Sequence, residues 1–99
     1  MPSRLDTTEV AGALAALPGW IGDADRIQLE IMLDGDEADA IVAEVMQAAD
    51  VMNHHPVVER GPGTTTFTVW THSVGGVTEL DVALARRISQ ILRSAGVSY

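Results

Sequence analysis

"RIQLEIML" (Arg26–Leu33) alternates without a break. Ile27, Leu29, Ile31 and Leu33 fall on one side, and Arg26, Gln28 and Glu30 on the other. A period of two with one apolar side is the pattern of a half-buried strand. A strand wet on one face belongs to an antiparallel sheet covered on the other, so the rest of the chain must supply the cover.

Helix signals flank this strand. In "LDTTEV" (Leu5–Val10), Asp6 is placed as N-cap, Glu9 as its capping-box partner, and Leu5 as a staple against Val10. Val10, Leu14 and Leu17 share a face until "LPGW" (Leu17–Trp20) stops the helix, and a first strand is expected at Trp20-Ile21. After the turn at Gly35-Asp36, a second helix carries Ala38, Ile41, Val42, Val45, Met46, Ala49 and Met52 on one stripe, with Asp39, Glu44, Gln47 and Asp50 off it. "VVERGPG" (Val57–Gly63) reads as a short extended piece and a turn. Pro62 lacks a backbone donor, so this third strand is expected to be shortened or bulged.

"TTTFTVWTH" (Thr64–His72) is rich in β-branched and aromatic residues and reads as the last strand. Thr65, Phe67 and Val69 face one way; Thr66, Thr68, Trp70 and His72 face the other. Being uncharged, it carries nothing to discourage a partner strand, and edge pairing in a symmetric dimer is expected, with either edge of the sheet open to it. In "GGVTELDV" (Gly75–Val82), Gly75-Gly76 reads as a tight turn, Thr78 caps, Asp81 closes the box, and Val77 can staple to Val82. Leu80, Leu84, Ile88, Ile91 and Leu92 form the expected buried stripe. The reading is an α+β fold, order α-β-β-α-β-β-α, with three helices over one face of a four-stranded antiparallel sheet.

Ninety-nine residues are enough for one core, so residues 1–99 are expected to form a single domain. Fourteen acids against six arginines and no lysine give a net charge of −8. Such a surface repels phosphate backbones and anionic membranes, which leaves a small substrate or a protein partner. No apolar run is long enough to span a bilayer, and "MPSRLDTTEV" has no leader-like apolar region. The absence of cysteine suits the cytoplasm.

Two of the three histidines are adjacent in "NHHP" (Asn53–Pro56), and the third is His72. Asp50 and His54 are four apart, so on a helix the carboxylate can hold the imidazole and set its tautomer. Pro56 disfavours a helical His55, which ends the helix between the two histidines and turns their side chains apart. Histidines at a helix terminus can be purely structural, and a capping box accounts fully for Asp81. Trp70 can pack on its neighbours or on a planar ligand. A three-histidine metal site is disfavoured, because adjacent histidines rarely reach one ion and no cysteine or clear fourth ligand is present.

Four stretches resemble the pterin-4a-carbinolamine dehydratases: "LPGW", "DVMNHHP" (Asp50–Pro56), "TH" (Thr71-His72) and "GGVTELDVALARRI" (Gly75–Ile88). The combination at these spacings is specific, and with the element order it covers Leu17 to Ile91. The resemblance implies dehydration of a 4a-hydroxytetrahydropterin to quinonoid dihydropterin, with no metal and no bound cofactor. It implies His54, His55 and His72 as active-site histidines with Asp81 as the accompanying carboxylate. His54 and His72 would be the acid/base groups on opposite faces of the pterin, and His55 its binder. Asp50, Pro56, Trp70 and Thr71 are placed beside them as binding or orienting residues. A homodimer or homotetramer is implied as well. The chain departs from the family at Pro62-Gly63, where an aromatic and asparagine are usual, and at Ser73, where aspartate is frequent. That change favours a second reading, a dimeric protein-binding module of the kind that assists transcription-factor dimerisation or Rubisco assembly.

Overall fold

The computed structural model describes residues 2–99. Helix α1 (Thr7–Ala15) leads through β1 (Ile21–Gly22) and β2 (Ile27–Ile31) to α2 (Gly35–Met52). Strands β3 (Val57–Gly61) and β4 (Thr64–Val69) follow, then a 3₁₀ turn at His72–Val74 and helix α3 (Glu79–Ser94). All strand pairs are antiparallel and the spatial order is β1-β2-β4-β3. The α+β architecture and element order are those expected.

The alternation of Arg26–Leu33 sets the layers. Ile27, Leu29 and Ile31 are buried, and in β4 so are Thr65, Phe67 and Val69. They share one core with Val10 of α1, Ile41, Val45 and Ala49 of α2, and Leu84, Ile88, Ile91 and Leu92 of α3. Each valine, leucine, isoleucine and phenylalanine among them contributes about 1.5–3 kcal/mol by leaving water. Trp20 lies in this core rather than in β1, and its Nε1–H donates to the buried Ser89 Oγ at 2.9 Å. Both polar groups are thereby satisfied.

Four local expectations are corrected. The third strand is neither shortened nor bulged: its five residues pair in register with β4, from Val57↔Thr68 to Gly61↔Thr64. Pro62 and Gly63 occupy the two turn positions, with Gly63 at φ 73°, which is the Pro-Gly signature of a type II turn. The missing donor of Pro62 therefore falls where no ladder bond is required. Strand β4 lies inside the sheet between β2 and β3, and stops at Val69, so His72 belongs to the 3₁₀ turn. Leu80, at the second position of α3, is 39% exposed and is not part of the buried stripe.

Both capping boxes form, at Asp6/Glu9 and at Thr78/Asp81. The chain after β4 is strapped by the N-terminal segment. Leu5 N–H donates to Val77 O, and Val77 N–H donates to Ala24 O. Arg4 donates to Gly75 O at 2.9 Å and pairs with Asp25. Gly75 takes the left-handed φ of 65° in this turn. A Cβ on Gly76 would lie 2.7 Å from the Arg4 side chain and 2.8 Å from Ala24 O, so only glycine lets the strap close.

Candidate active site

The end of α2 places the adjacent histidines. Asn53 is the only non-glycine residue with positive φ (52°) among the described residues, and it terminates the helix in the left-handed conformation. Asn53 N–H donates to Asp50 O and His54 N–H to Ala49 O, each at 3.1 Å. These two bonds are the Schellman pattern, with asparagine in the position glycine usually takes. The helix thus ends before both histidines, not between them, and the buried Pro56 leads directly into β3.

This termination overturns the expected Asp50–His54 pair. Once His54 leaves the helix, the four-residue spacing no longer brings the two side chains together. Asp50 instead pairs with His55, Oδ1 to Nε2 at 2.6 Å, on the exposed surface. His54 turns inward, and its Nε2 lies 2.5 Å from Asp81 Oδ1 on α3. The His54 side chain is 12% exposed and that of Asp81 0%.

Asp81 sits at the centre of the cluster. Its Oδ2 accepts from Thr78 N–H at 2.8 Å, which closes the capping box, and from Thr71 Oγ1 at 2.8 Å. Thr71 and Thr78 hydroxyls are 2.7 Å apart. With Thr71 donating to Asp81, the Thr78 hydroxyl is left to donate to Thr71. Oδ1 remains for His54. A carboxylate accepts only, so the His54 ring carries its proton on Nε2, and the neutral ring presents Nδ1 as an acceptor. The capping box therefore accounts for one oxygen of Asp81 and leaves the other unexplained by helix structure.

His72 follows Thr71 directly, and its exposed ring lies 5.5 Å from that of Trp70, tilted by 36°. Arg26, expected from the sequence only as a strand residue on the wet face, lies over Trp70 at 5.0 Å from its ring centroid. Its only signal in the sequence is its place opposite Trp70 once β2 and β4 are aligned. His54, Asp81, Thr71, His72, Trp70 and Arg26 thus form a connected chain at one end of the sheet, with His55 and Asp50 flanking it. Among the described residues, no group of three or more His, Cys, Asp or Glu is placed to hold a metal ion. Hollows of about 520 and 630 Å³ lie elsewhere, along α1 and α3, where no histidine lines them. The polar chain, unlike those hollows, brings histidines and a buried carboxylate together.

A buried carboxylate orienting one histidine, with a second histidine close by in the fold, defines a class of site suited to moving protons without a nucleophile. The family model described as pterin 4 alpha carbinolamine dehydratase matches residues 3–91. A Streptomyces avermitilis protein is 42% identical over 96 residues, covering 95% of each chain. One from Streptomyces coelicolor is 40% identical over 99 residues, covering 97% of this chain and 98% of the relative. Both carry the provisional name pterin-4-alpha-carbinolamine dehydratase. A Brucella melitensis crystal structure, described as a transcriptional coactivator/pterin dehydratase, aligns with a TM-score of 0.83 at 33% identity. That alignment covers 90% of this chain and 98% of the other. The chain belongs to the pterin-4a-carbinolamine dehydratase family.

Proposed function

We propose that the protein dehydrates a 4a-hydroxytetrahydropterin to the quinonoid dihydropterin by histidine acid/base chemistry. The observation that carries this reading is the 2.5 Å contact between His54 and the buried Asp81. In the reaction the C4a–O bond breaks and the hydroxyl takes a proton to leave as water. The N5 proton passes to a base, and its electron pair forms the C4a=N5 bond. Histidine serves either step near neutral pH. His54, its Nε2–H committed to Asp81, would meet the pterin through Nδ1, and His72 would act from the other face. His55, steadied by Asp50, would bind the ring, while Pro56, Trp70 and Thr71 shape the surroundings. The chemistry needs no metal and no bound cofactor.

Stopped-flow dehydration in excess chelator, compared with the spontaneous reaction, tests this. His54→Ala and His72→Ala should each lower the rate by roughly 10²-fold, the scale of general acid–base catalysis. A wild-type rate equal to the spontaneous one, or a double variant as fast as wild type, would sink the reading.

The description of the Brucella melitensis protein as a coactivator favours a second reading, a protein-binding module. Exposed apolar residues such as Val51 (88%) and Met32 (78%) would suit a partner. A cytoplasmic setting agrees with either reading, and no helix of the described residues is long and apolar enough to cross a membrane.

A further inference from the structure

Arg26 precedes β2 by one residue, where the Ile27↔Val69 pairing extends toward Trp70. Its guanidinium carbon lies 5.0 Å from the Trp70 ring centroid, and that ring stands beside His72. The negative face of an indole holds a guanidinium electrostatically and leaves its N–H edge available to another acceptor. The acids nearest in the chain do not take that edge. Asp23 Oδ1 accepts from the backbone N–H groups of Asp25 and Arg26, at 2.8 and 3.3 Å. Asp25 pairs with Arg4. Arginine ion pairs among the described residues are Arg4–Asp25 and Arg60–Asp39, so Arg26 has no carboxylate partner there. A chain of net charge −8 thus keeps one cation, steadied by an aromatic ring, beside His72 with its donors uncommitted.

We propose that Arg26 and Trp70 form a subsite for an anionic group, a phosphate ester or a carboxylate, on the 6-substituent of the pterin. This rests on the reading of the histidines as the pterin site and deepens it by naming the substrate class. The guanidinium fork matches either anion with two parallel hydrogen bonds, whereas a neutral hydroxyalkyl chain offers it no charge. Stacking on Trp70 restricts the Arg26 side chain before binding, which lowers the ordering cost of the contact. The acidic remainder of the surface works against an anion, so the preference is expected to be moderate.

Calorimetric binding of unreactive 7,8-dihydropterins tests the subsite apart from catalysis. Three ligands are compared: a neutral dihydroxypropyl chain at C6, the same chain phosphorylated, and a 6-carboxylate. For the wild type, at least one anionic pterin should bind roughly 10-fold tighter than the neutral one, the scale of a charged hydrogen bond. Which anion gains identifies the group. In Arg26→Gln the ratio should fall to about one, and Arg26→Lys should keep part of it, having charge without the fork. A ratio taken within each variant cancels any general loss of folded protein. Equal binding of all three by the wild type, or a preference that survives Arg26→Gln, overturns the subsite and leaves the dehydratase reading to its turnover assay. The converse, an Arg26-dependent preference without turnover, keeps the subsite and ends the dehydratase reading. Failure of every pterin to bind ends both.

Discussion

Oδ2 of Asp81 is tied to Thr78 N–H and the Thr71 hydroxyl, so a substitution that keeps this oxygen and alters the other separates structure from chemistry. Asp81→Asn does so. The amide oxygen can keep the cap, while its NH₂ faces His54 and requires the neutral ring to accept at Nε2. The His54 proton then moves to Nδ1, the atom proposed to meet the pterin, and the tautomer is wrong for a base. Turnover should fall by about 10²-fold or more, with only about 1–2 kcal/mol of stability lost. Asp81→Ala should also unpair the buried threonines and lose about 3 kcal/mol. Rates and denaturant midpoints on both variants decide it; an Asp81→Asn enzyme at wild-type speed would remove the carboxylate from the mechanism. The role of Asp81 as cap was legible in "GGVTELDV". Its second oxygen was not, because its partner lies 27 residues away in sequence.

Helix starts were easier to read than helix ends. Capping boxes involve neighbours along the chain, whereas the end of α2 depends on Asn53 accepting φ 52°, which few residues do without strain. The heptad-like stripe through Met52 gave no sign of where it would stop, and extending it to His54 produced the Asp50–His54 pair that the structure lacks. Replacing Asn53 by alanine should cost about 1–2 kcal/mol, the penalty for the left-handed conformation. Asn53→Gly should keep or slightly raise stability, since glycine enters that region freely. Urea unfolding of the two variants gives the comparison, and an alanine variant as stable as the glycine one would show that the cap does not direct His54. At the hairpin, the turn at Pro62-Gly63 is legible in "VVERGPG", but that it leaves β3 whole depends on register with β4.

The strand order sets where a second subunit could pair. Because β4 is enclosed, the edges are β1, only two residues long, and β3, five residues with Val57 44% exposed. Longer edges template pairing more readily, so β3 is the edge better suited to a partner strand. Glu59 and Arg60 are the charged residues on it, and as neighbours they point to opposite faces of the sheet. Light scattering at micromolar concentration should give at least twice the 10.5 kDa of one chain. A monomer mass would mean that the charged residues on β3 block pairing.

Periodicity and capping, both local in the chain, determined the α+β class, the element order and the identity of the buried faces. Ile27, Leu29, Phe67 and Val69 had no other way to leave water together. Family motifs marked the histidines without saying how they are held. Only the tertiary structure decided that His54 binds Asp81 while Asp50 binds His55, that β4 is interior, and that Arg26 meets Trp70. Each of those depends on groups distant in sequence meeting at distances of a few ångströms, and the strand pairing and helix packing of the whole core set such distances.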